Sequence, residues 1–117
     1  MSAFVNPDDQ VVVSDDNGNG VTIRAKMSLA HNAQVIADMK RFGFTNAGQN
    51  LGLLAANIVA WDGPLFRDGL GNSVPCNRAN VFRLDPTNAE WSALQTLILA
   101  KIDELNRRET LDSSAPN

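Results

Sequence analysis

Tyrosine is absent from this 117-residue chain, and cysteine and histidine occur once each, as Cys76 and His31. One cysteine excludes an internal disulfide, and a reducing cytoplasm is the expected compartment. One histidine beside one cysteine cannot furnish a zinc site of the usual kind. Lacking tyrosine, the chain also lacks a residue that often stacks on bases. Positive charge is not in excess: 10 Lys and Arg face 13 Asp and Glu, a net charge of −3. Domains that neutralise phosphates are usually basic, so no nucleic-acid partner is expected. No apolar run reaches the roughly 18 residues of a membrane span. Residues 1–9 lack the basic start and apolar core of a secretion signal.

Catalytic patterns are also missing. Gly18-Asn19-Gly20 has neither the spacing nor the Lys-Ser/Thr ending of a phosphate loop. Asp8-Asp9 and Asp15-Asp16 are paired carboxylates in hydrophilic, turn-like sequence, where they stay solvated and unsuited to acid–base work. No spacing selects a serine and an aspartate to join His31. Cys76 follows Pro75, and no basic residue is placed to activate it, so it reads as a small packing residue. The expectation is a non-enzymatic protein with no cofactor, no metal and no catalytic residue.

What the chain does contain is an ordinary globular share of apolar residues, 44%. Its length suits one domain. Residues 10–108 are expected to form it, as a hairpin over 10–27 and a helical body over 28–108, with flexible tails at 1–9 and 109–117. The expected fold class is α+β, mainly α: an N-terminal β-hairpin followed by a small bundle of three to four helices.

Gln10-Val11-Val12-Val13-Ser14 is short and β-branched, and Val21, Ile23, Ala25 and Met27 alternate with polar residues. Between them Asn17-Gly18 is the favoured dipeptide of a tight hairpin turn. The oxygen donors Asp15, Asp16, Asn17 and Asn19 also suggest a calcium loop, but residues 21–27 supply no carboxylate to close it. The turn is therefore preferred.

Ser28 is placed to cap a helix. Leu29, Val35, Ile36, Met39 and Phe42 form its apolar face, and Asn32, Asp38 and Lys40 point elsewhere. Gly43 suits a left-handed stop, with Phe44 as the following apolar contact. Over residues 46–61, Leu51, Leu54, Ala55, Ile58 and Trp61 fit a helical face, while Leu51, Leu53, Ala55, Val59 and Trp61 fit strand alternation nearly as well. The Ala-rich run predicts a helix ending near Ala60 or Trp61, before Asp62-Gly63-Pro64. Trp61 and Phe66 then anchor a turn-rich loop. Asn77 caps a short helix that turns Val81, Phe82 and Leu84 inward. Thr87 and Glu90 read as a capping box. The last helix carries Trp91, Leu94, Ile98, Ile102 and Leu105 on one stripe, widened by Leu97 and closed by Arg107 and Arg108. Most of this stripe is expected to be core. Leu94, Leu97 and Leu99 at its margin, with Trp61 and Phe66, are the candidate protein-binding residues.

The blocks Asn57-Ile58-Val59-Ala60-Trp61-Asp62-Gly63-Pro64-Leu65-Phe66, Val74-Pro75-Cys76-Asn77 with Asn80, Leu84-Asp85-Pro86, and Glu104-Leu105-Asn106-Arg107-Arg108 together resemble the tail assembly chaperones of long-tailed, siphovirus-like bacteriophages. The hairpin segment Val21 through Ser28 is similar to the start of such proteins. The resemblance implies a cytoplasmic helper in the infected cell. It would bind the long helical tape-measure protein and bring major tail-tube subunits to it, without remaining in the virion. Self-association is compatible with it. It supplies no catalytic residue. Trp61, Gly63, Phe66, Pro75 and Asn80 match the motif, and in Trp61 and Phe66 a core-anchoring role is the more usual one. The alternative is a ring-forming virion component, such as a head–tail connector or tail-tube accessory. A third reading is a small host adaptor.

Overall fold

The computed structural model describes residues 2–108. The hairpin forms as β1 (Gln10–Ser14) and β2 (Gly20–Arg24), antiparallel, with Val11 opposite Ile23 and Val13 opposite Val21. Period-two alternation sends Val21 and Ile23 wholly inside and leaves Val12 on the outer face. The connection is not the expected tight Asn17-Gly18 turn. It is a five-residue loop closed by one carboxylate: Asp15 Oδ1 accepts the Asn17 and Asn19 N–H groups, and Asp15 Oδ2 accepts from Asn19 Nδ2. Gly18 supplies the positive φ that this loop needs. β2 ends at Arg24 and not at Met27.

Residues 46–61 are two elements. Helix α2 (Asn46–Asn57) passes directly into β3 (Ile58–Asp62), which pairs antiparallel with β2 and makes the sheet order β1-β2-β3. The expected continuous helix is corrected here. Ile58 donates the last helical bond, to Leu54, and the β-branched Ile58-Val59 pair then pairs with β2. Ala60 lies opposite Thr22 and Ile58 opposite Ile23, so Val59 is the extra residue of a bulge.

Helix α1 (Leu29–Phe42) begins at a reciprocal cap: the His31 N–H donates to Ser28 Oγ, and the Ser28 N–H donates to His31 Nδ1. It ends at Gly43, φ 114°, whose N–H donates to Met39. α1 and α2 pack closely because glycine lies between them. A Cβ at Gly52 would come within 3.1 Å of the Val35 carbonyl, and one at Gly48 would come within 2.0 Å of the Gly43 carbonyl. This approach sets which side of α1 is inside, and it matches the expected face only at Val35 and Met39. Val35 and Asp38 are buried, whereas Leu29 and Ile36 are 88% and 54% exposed. Asp38 was expected to face outward. It is held inside by Arg78 at 2.5 Å and by Gln34 Nε2 at 3.2 Å.

The one-turn helix α3 (Arg78–Val81) is capped by Asn77 as expected. In α4 (Ala89–Leu105) the cap is Asn88, which accepts the Trp91 N–H, and not Thr87. The Thr87 hydroxyl instead donates to Asp85 at 2.7 Å. Arg107 and Arg108 fall beyond the helix end, and Arg107 pairs back to Asp103. The stripe Trp91, Leu94, Ile98 and Ile102 is buried against Val21, Ile23, Leu54, Ile58, Phe66 and Val81 in one core. Each such aliphatic side chain contributes about 1.5–3 kcal/mol on full burial. Asn106 Oδ1 accepts the Met27 N–H and fastens the end of α4 to the exit of the hairpin. Among the described residues the architecture is thus α+β, a three-stranded antiparallel sheet with four α-helices. The tail expected at 109–117 lies outside the described residues.

Candidate protein-binding surface

Trp61 projects from β3 and stacks on Phe66, with ring centroids 4.7 Å apart and planes 6° from parallel. Phe66 sits in a single turn of 3-10 helix (Pro64–Phe66) and meets Trp91 edge-on at 6.2 Å. The Trp61 indole N–H donates to the Val74 carbonyl at 2.7 Å, and the Val74 N–H donates to the Phe66 carbonyl. The loop is therefore fastened at both ends. Gly63 makes its entry: at φ 120° its Cα lies so near the hairpin loop that a Cβ would meet Asn19 Oδ1 at 2.5 Å. Asn19 Oδ1 in turn accepts the Leu65 N–H.

The candidate residues consequently separate. Trp61 and Phe66 are brought together, with Phe66 buried and Trp61 half-buried. Leu94 has no exposed surface and is central to the core. Leu97 and Leu99 flank it on opposite margins of α4. Leu97 is 50% exposed, and Leu99 packs partly against the core. Beside the aromatic pair lies a cavity of about 200 Å³ lined by Trp61, Phe66, Trp91, Asn80 and Arg83. Asn80 is already engaged, accepting from Arg83 and donating to the Pro75 carbonyl.

Another exposed apolar stripe among the described residues lies on α1. Leu29, Ala33 and Ile36 recur at i, i+4 and i+7 on the side away from α2, and all three are exposed. Phe44, just past the helix, is 67% exposed. The sequence expectation merged this stripe with Val35, Met39 and Phe42 into one face. The signal that separates them is the spacing: Leu29 to Val35 is six residues, or about 240° of helix rotation, whereas Leu29 to Ile36 is nearly two full turns.

Several titratable groups are shifted by their surroundings. Burial pushes the Cys76 thiol above its usual range, which disfavours the nucleophilic thiolate. Burial, with the nearby Arg24 charge, lowers His31. The Asn19 side chain, followed by backbone N–H groups, holds Asp15 below the usual carboxylate range. Those donors occupy the oxygens that the calcium reading of the loop requires. Among the described residues no group of three His, Cys, Asp or Glu side chains converges to hold a metal. Among them, too, no helix is long and apolar enough to cross a membrane.

Compared with known proteins, the chain matches no family model, no curated protein and no solved structure.

Proposed function

We propose that this protein is a bacteriophage tail assembly chaperone, which covers apolar stripes of the tape-measure protein and helps bring major tail-tube subunits to it in the cytoplasm of the host cell. The observation that carries this reading is the α1 stripe. Leu29, Ala33 and Ile36 face outward from a helix whose opposite side is docked on the body. A long amphipathic client presents the complementary surface, and helix-on-helix contact at i, i+4 and i+7 anchors suits it. Covering Leu29 contributes about 1.5–3 kcal/mol, and covering the half-exposed Ile36 roughly half as much, before the cost of association is subtracted. Leu97 and Phe44 offer further exposed apolar area. The motif blocks around Trp61-Asp62-Gly63-Pro64 and Leu84-Asp85-Pro86 supply the link to phage tails.

The second reading, a ring-forming virion component, is favoured by one feature, the open edge of β1, because edge strands add neighbouring subunits readily. Two measurements separate the readings. Co-expression with the long helical tape-measure chain raises that chain's soluble yield if the protein is its chaperone. Purified mature particles then lack the protein. A fixed, ring-multiple copy number in particles, with no effect on client solubility, establishes the alternative.

A further inference from the structure

β1 is the edge of the sheet, with β2 on one side and no strand on the other among the described residues. The Asp15 N–H donates to Asn19, and the Ala25 N–H donates to Asp9. Antiparallel alternation then assigns Val11 and Val13 to the pairs hydrogen-bonded with β2. The N–H and C=O groups of Gln10, Val12 and Ser14 therefore point away from the sheet. Edge strands are commonly blunted by lysine, proline or a bulge. β1 contains none of these: its register is continuous, and the bulge lies on the opposite edge, at Val59. Val12 is 62% exposed, and Val11 and Val13 are only half-buried.

The flanks say what can occupy this edge. Asp8-Asp9 precede the strand and Asp15-Asp16 follow it. A second copy paired antiparallel about Val12 would set Asp9 against Asp15 twice. A second copy paired in parallel would set each aspartate against itself. Like charges directly opposite one another are destabilising. We propose that the free edge of β1 takes, as a fourth strand, an extended segment of a different polypeptide, about five residues long with alternating β-branched side chains and Lys or Arg at both ends. Gln10, Val12 and Ser14 offer it about six main-chain hydrogen bonds. The charges of the four aspartates favour cationic flanks and oppose pairing with the β1 strand of a second copy. This surface is separate from the α1 stripe and does not depend on the client assigned to that stripe.

The test uses the full chain and a synthetic peptide, Lys-Lys-Thr-Val-Thr-Val-Thr-Lys-Lys, beside a counterpart with Glu in place of every Lys. Amide hydrogen exchange is followed residue by residue at low salt. The basic peptide is expected to slow exchange at Gln10, Val12 and Ser14, and to bind at least about ten-fold more tightly than the acidic one. Val12→Pro removes an outward N–H and abolishes binding. Val12→Lys, at a side chain already exposed, weakens it with the fold intact by circular dichroism. Unchanged exchange at about 1 mM basic peptide, equal binding of the two peptides, or a dimer joined through β1 would each overturn the proposal.

Discussion

Arg78 of α3 reaches Asp38 of α1 at 2.5 Å, joining a carboxylate that is almost wholly buried to a guanidinium side chain that keeps 40% of its exposure. Arg78 also lies over the Phe82 ring, 5.1 Å from its centroid, and Phe82 meets Phe42 of α1 at 5.2 Å. Ion pair and aromatic contact together dock α1 on the body. Because Asp38 Oδ2 has no protein partner, the pair depends heavily on Arg78. Arg78→Met is expected to cost about 1–3 kcal/mol in urea unfolding, since it strands a buried charge. Asp38→Leu combined with Arg78→Met should recover most of that loss. A double variant as unstable as the single would show that the charge pair itself stabilises the joint.

Glycine at the α1–α2 contact gives a second expectation, opposite to helix propensity. Alanine in place of a helical glycine ordinarily stabilises by about 0.5–1 kcal/mol. Gly48→Ala should instead destabilise, by about 1–3 kcal/mol, because its Cβ would meet the Gly43 carbonyl. Thermal unfolding of Gly48→Ala measures the sign. A raised midpoint would mean that the two helices can separate at no cost.

His31 confers a pH dependence. Its Nδ1 accepts the Ser28 N–H, so protonation there breaks the cap of α1. Its folded pKa lies below the ordinary histidine value of 6.5, first because of burial and then because of the Arg24 charge. Between the folded and unfolded values the unfolded chain holds more protons, so stability rises with pH through that window. The His31 contribution is complete above 6.5 and is lost as pH falls through the folded value. His31→Gln keeps an acceptor at the same helical position and should flatten this slope. Asp15, Asp68 and Asp85, lowered by hydrogen bonds, act in a separate window below 3.8. Unfolding free energies between about pH 7.5 and 5.5 decide it. A slope unchanged in His31→Gln would assign the effect elsewhere.

The two hairpin strands, the Ser28 and Asn77 caps and the buried stripe of α4 were legible because each rests on neighbours in sequence. β3 was not, since a single apolar run satisfies two periods and only pairing with β2 decides where the helix stops. The cap of α4 falls on Asn88, one residue past Thr87, because both are capping residue types and their spacing alone does not choose between them. Asp38 read as a surface residue because its partner lies 40 residues away. For the binding surface, the sequence marked Trp61 and Phe66 as anchors, and the structure joins them in one stack. It also marked Leu94, which is entirely inside. The outward stripe of α1 was hidden because both sides of that helix are apolar, and only the approach of α2 through Gly48 and Gly52 chooses between them.

The proposed chaperone role requires that the outward stripe of α1 grip a client. Leu29→Glu and Ile36→Glu place charge on side chains that are 88% and 54% exposed, so each should change unfolding stability by no more than about 0.5 kcal/mol. The decisive measurement is the affinity of these two variants for the tape-measure chain. A loss of about ten-fold or more in each, with stability preserved, is the predicted result. Affinity equal to that of the unaltered protein in both variants would contradict it.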